Sequence, residues 1–75
     1  MKYLGNRIRF ERKAFGLTLQ NFADHIGTSS SMLQRVETGA KSLSVELLVE
    51  IANVCRKPID DLLKQQLKGI KKLDA

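Results

Sequence analysis

The stretch Thr18 to Gly39, TLQNFADHIGTSSSMLQRVETG, decides the fold. Leu19, Phe22, Ala23 and Ile26 recur at i, i+3, i+4 and i+7, the spacing of one apolar stripe on a helix. Thr18 suits the N-cap of that helix, and Gly27 suits the left-handed position that ends it. A second helix starts behind Thr28 or Ser29, turns Leu33 and Val36 inward and Ser30, Ser31, Gln34 and Arg35 elsewhere, and stops at Gly39. Two short helices joined by a tight turn hold the second one proud of the surface. A cylinder about 10 to 12 Å across fits a major groove about 12 Å wide. Helix hairpins with a glycine turn also occur in small bundles that bind nothing, so the pattern alone leaves both readings open.

Working outward, Tyr3 to Phe15 reads as a first helix with Leu4, Ile8 and Arg12 on one stripe, ended by Gly16. Beyond the loop Ala40 to Leu43, Ser44 is a good N-cap, and Glu46 falls in the first turn, where the helix dipole favours an acid. This fourth helix is expected to bury Leu48, Ile51, Ala52 and Cys55. Pro58 forces a break, and Asp60 and Asp61 open a fifth helix carrying Leu62 and Leu63. Leu63, Leu67, Ile70 and Leu73 continue the helical spacing into the tail. No alternating apolar run marks a strand, so the expected fold class is all-α with five helices.

Composition narrows the function. Seventy-five residues make one small domain, with room for a minimal core but not for a deep substrate cavity. Thirteen Lys and Arg against eight Asp and Glu give a charge of +5, which suggests an anionic partner, either nucleic acid or an acidic membrane surface. No apolar run approaches the roughly 18 residues of a membrane span, and the polar start carries no signal-peptide pattern. The lone Cys55 argues against a disulfide framework, so the expected location is the cytoplasm, with the nucleoid. An enzyme would need a constellation of reactive groups. His25 is the only histidine and Cys55 the only thiol, metal-ligand spacing and a phosphate-binding glycine loop are lacking, and neither catalysis nor a cofactor or metal is expected.

Arg12, Gly16-Leu17-Thr18, Phe22-Ala23, Gly27-Thr28-Ser29, Glu37-x-Gly39, Ser44, Leu48-x-x-Ile51-Ala52 and Leu62-Leu63 together are specific. The stretch Ile8 to Leu63 that holds them resembles the Cro/C1-type (Xre-like) helix-turn-helix family of bacterial and phage repressors. The resemblance implies a compact lambda-repressor-like five-helix domain over residues 1–63, with the helix-turn-helix at helices two and three. Residues 64–75 are then a basic amphipathic tail: a helix extension, a dimer contact or a linker. Ser29 to Thr38 becomes the recognition helix of a transcriptional regulator, a repressor by family habit. At its face, Ser29, Ser30, Ser31, Met32, Gln34 and Arg35 are the expected base contacts. Arg35 can pair with O6 and N7 of guanine, Gln34 with N6 and N7 of adenine, and Met32 can meet a thymine methyl. The serine run can equally be helix capping.

Phosphate contacts are expected from Thr18, Gln20, Thr28 and Lys41, and from Arg7, Arg9 and Lys13, although these basic side chains also read as solvated surface. Arg12 and Glu37 are expected as an internal ion pair tying the first helix to the end of the recognition helix. The sequence departs from the family at Leu19, where a phosphate-holding Gln is common; a leucine there resembles members whose DNA-binding domain precedes a ligand-sensing domain. Arg56-Lys57 replace a common Gly-Val, so the turn differs or a non-glycine sits at a left-handed cap, and Leu43 replaces a frequent proline. The expected partners are a double-stranded DNA operator, a second copy of the chain and, in a longer protein, an additional effector domain. A protein-interaction or antitoxin-type role of the same fold is the rival reading, with Phe10, Phe15 and the tail stripe as contact. A membrane role is weaker, since the tail lacks aromatic anchors.

Overall fold

Three hydroxyl side chains start three of the helices. Thr18 Oγ1 accepts from the Asn21 amide, Ser29 Oγ from Met32 and Ser44 Oγ from Leu47, at 3.1, 3.1 and 3.2 Å. Each satisfies an amide that has no partner inside its helix, and replacement by alanine typically costs about 1 kcal/mol. Of the two hydroxyls open to the third helix, Ser29 is therefore the cap. The computed structural model describes residues 2–64, which form α1 (Lys2–Ala14), α2 (Leu19–Ile26), α3 (Ser30–Glu37), α4 (Val45–Cys55) and α5 (Ile59–Leu62). The tail residues Leu67, Ile70 and Leu73 lie outside the described residues.

Helices α2 and α4 end on left-handed backbone. Gly27, at φ 77°, closes α2, and the carbonyl of Ala23 takes the amides of both Gly27 and Thr28. Helix α4 closes with the same geometry on a side chain, since Arg56 sits at φ 54°. The turn therefore does not differ from one built on glycine; it carries strain of about 1 to 2 kcal/mol instead. Pro58 starts α5 without a side-chain cap.

The core is one cluster, with Leu4, Ile8, Phe22, Leu33, Ile51, Cys55 and Leu62 all but sealed from solvent. Burying each large side chain contributes roughly 1.5 to 3 kcal/mol. Leu48, expected inside, is half-buried against this cluster together with Leu47. Helix α3 packs on both α1 and α2, and the contact with α1 is unusually close. A Cβ at Gly5 would run into the Val36 carbonyl oxygen and lie 2.8 Å from that of Glu37. Only a glycine lets the two backbones meet there.

Candidate nucleic-acid interface

Helix α3 divides by its own periodicity. Leu33, Val36 and Glu37 are buried, while Ser31, Gln34, Arg35 and Thr38 are exposed. Ser31, Arg35 and Thr38 follow one another at intervals of four and three residues, so they form the outermost line of the helix. Among the described residues the side chains of Gln34 and Arg35 have no hydrogen-bond or ion-pair partner. Thr38, expected only as the end of the recognition helix, was not among the expected contacts; its signal is the same periodicity carried one turn further. Its hydroxyl donates to the Arg35 carbonyl at 3.2 Å.

The other expected base contacts stand differently. Ser29 is the cap, Ser30 is half-buried, and Met32 is half-buried beside a groove of about 350 Å³ between α3 and α4. The thioether thus lies on the flank of α3 that faces α4, next to Val36 and Leu47, away from the outermost line.

Around α3 are the groups expected at phosphate. Thr18 caps α2, and Gln20 Nε2 donates to Asp24 Oδ1 at 2.9 Å. Thr28 lines the groove beside Met32, and Lys41 stands exposed on its rim. Arg9 and Lys13 are exposed on α1 and make no ion pair among the described residues. Arg7 is occupied. Its Nε donates to Glu11 Oε2 at 2.9 Å, its Nη2 to Asp61 Oδ2 at 2.9 Å and its Nη1 to the Asp61 carbonyl at 3.1 Å. This clamp ties α1 to α5, and its physical role is structural; nothing in the local sequence around Arg7 points fifty-four residues ahead. The hydrogen bond from Arg7 holds the Asp61 carboxyl below the usual carboxylate range, and the pairing raises the already high pKa of Arg7.

Beneath the interface, Arg12 Nε donates to Glu37 Oε2 at 2.9 Å and Nη2 to Oε1 at 3.2 Å, while Nη1 reaches the Leu17 carbonyl at 2.9 Å. Both residues are buried. The one guanidinium therefore fixes the end of α3, the end of α1 and the approach to α2. Glu11 is buried as well, which the sequence did not signal, and burial pushes the neighbouring Cys55 thiol up. A buried, protonated thiol is a core filler. His25 is exposed in the last turn of α2. Among the described residues no group of His, Cys, Asp and Glu could hold a metal ion, and no helix is long and apolar enough to cross a membrane.

The chain has relatives of known fold. A Rhodospirillum rubrum protein described as an uncharacterized transcriptional regulator in the ATPase CF(0) region is 31% identical over 67 residues, which are 89% of this chain and 62% of that protein. The chain thus spans less than two thirds of the length of this relative. The crystal structure of the clp gene regulator ClgR from Corynebacterium glutamicum superposes with a TM-score of 0.82 at 26% identity, covering 97% of this chain and 78% of that one. The P22 c2 repressor, crystallised in complex with synthetic operator 9T, shares the fold with a TM-score of 0.78 at 23% identity over 85% of this chain and 97% of its own. Residues 8–62 match the helix-turn-helix family model, a span from the middle of α1 to the end of α5 that takes in the Arg12–Glu37 pair and the whole α2–α3 turn. The chain belongs to the Cro/C1-type helix-turn-helix family.

Proposed function

We propose that the chain is a sequence-specific, double-stranded-DNA-binding transcriptional regulator, a repressor, that reads the major groove with α3. The observation that carries this reading is the outer line of α3, where Ser31, Arg35 and Thr38 with Gln34 beside them form an exposed polar face on a helix whose opposite side is locked into the core. Arg35 reads guanine and Gln34 adenine, each good bidentate contact contributing about 1 to 3 kcal/mol of discrimination. Ser31 and Thr38 offer hydroxyls to base edges or phosphate. The amides that open α2 and α3, with Lys41, Arg9 and Lys13, hold the phosphate backbone, and the net charge of +5 draws the duplex in. Arg7 is left out of this set because its donors are engaged by Glu11 and Asp61.

Two copies bind a two-fold operator, with recognition helices about 34 Å apart. The site of action is the bacterial cytoplasm, where the chromosome lies. Selection of bound duplexes from a random pool, followed by a salt titration on the enriched sequence, tests the proposal. The expected result is a two-fold-related consensus whose binding weakens linearly in logarithm with salt. Absence of enrichment, or a flat salt response, would overturn it and favour a protein-interaction role.

A further inference from the structure

Helix α4 carries two glutamates and not one lysine or arginine, in a chain whose net charge is +5. Its outward side shows Val45, 76% exposed, Val49, 38% exposed, and between them the exposed Glu46 and Glu50. The glutamates are four residues apart, so they repel slightly, and among the described residues neither forms an ion pair. With Ile26, Met32, Val36 and Leu47 they line the groove of about 350 Å³. Lys41 is the one basic residue lining it. An apolar channel edged by unpaired carboxylates is complementary to a segment that alternates leucine-type and lysine side chains with helical spacing.

The chain carries such a segment. Leu63, Leu67, Ile70 and Leu73 mark one stripe, and Lys64, Lys68, Lys71 and Lys72 accompany it. We infer that the groove and acidic face of α4 receive this basic tail, residues 64–75, from a second copy of the chain. The inference deepens the two-fold reading proposed above and rests on it for the second copy. The two-fold arrangement makes the second copy the donor, and a tail docked on its own chain is the alternative that the cysteine pairs below test. In a two-fold pair each copy gives its tail and receives the other, so every lysine-glutamate pairing is made twice.

The test uses chains of all 75 residues. Sedimentation equilibrium first gives the monomer-dimer constant of the unaltered protein. Reversing both glutamates, Glu46→Lys with Glu50→Lys, is expected to weaken it by roughly tenfold or more at low salt, because four close charge pairs become repulsive. Adding Lys68→Glu and Lys71→Glu to the same chain is expected to restore it. Circular dichroism of each variant checks its folding; Glu46 and Glu50 are exposed. Mixing a chain carrying Glu50→Cys with one carrying Lys68→Cys is expected to yield a disulfide between the two under mild oxidation. A dimer indifferent to the reversals overturns the docking site and leaves the two-fold reading standing. A disulfide formed only within a chain carrying both cysteines overturns the exchange between copies. A chain monomeric at millimolar concentration overturns both, while operator binding by the monomer leaves the DNA-reading face intact.

Discussion

Arg12 and Glu37, twenty-five positions apart, meet in a two-pronged guanidinium-carboxylate contact in which both residues are buried. The pair joins α1 to the last residue of α3, so removing one partner strands a charge in the interior. Glu37→Gln and Arg12→Ala are each expected to cost about 3 to 5 kcal/mol, a large share of the stability of so small a domain. Urea unfolding followed by circular dichroism measures it. Replacing both by apolar residues of similar volume should recover most of the loss, and a pair that proved indifferent to single substitution would show that water reaches it.

Gly5→Ala should destabilise although alanine is the better helix former by about 1 kcal/mol in an open helix. The new methyl would meet the Val36 and Glu37 carbonyl oxygens, and the neighbours are backbone that cannot swing aside. A net loss of about 1 to 3 kcal/mol is expected, lowering the melting temperature by roughly 4 to 8 °C per kcal/mol. A melting temperature that rose instead would mean α3 can slide on α1.

Arg35→Ala should leave the melting curve unchanged, because the exposed side chain makes no hydrogen bond or ion pair among the described residues. It should weaken binding to the selected operator by about 1 to 3 kcal/mol and relax the preference at one base pair of each half-site. Lys41→Ala, by contrast, should weaken binding to all duplexes alike and reduce the salt slope by about one unit. Exchange of these two patterns would reassign both residues.

Acid should open the α1–α5 clamp. The Asp61 carboxyl is held below its usual range by Arg7, so the folded chain binds fewer protons than the unfolded one as that carboxyl titrates. Its stabilisation is therefore complete above the normal carboxylate value near 4 and is lost as pH falls through the lower folded value. Urea midpoints measured from about pH 6 down to pH 2.5 should fall less steeply for Asp61→Asn than for the unaltered chain, and Asp61→Asn should start lower. Parallel curves would show that the clamp does not couple to folding.

What could be read from the sequence was what is local. Thr18, Ser44 and Gly27 announce helix ends within four residues of the bonds they make, and the apolar stripe of α2 fixes its inner face. Arg12 with Glu37 was legible only through the family, since nothing local links residues so far apart. The Arg7–Asp61 clamp, the burial of Glu11 and the close approach at Gly5 escaped for the same physical reason: each depends on where a distant helix comes to lie. Arg56 was legible as a question, and the backbone settled it in favour of strain.

The carbonyl of Arg35 accepts from the amides of Ala40 and Lys41, at 2.9 and 3.2 Å, as well as from the Thr38 hydroxyl. The loop that carries Lys41 is thus moored to the main chain of the proposed reading position and not to its side chain. If Arg35 reads a base as proposed, evolution can rewrite residue 35, and with it the preferred operator, without loosening the mooring. In this fold a change of address needs no change of architecture.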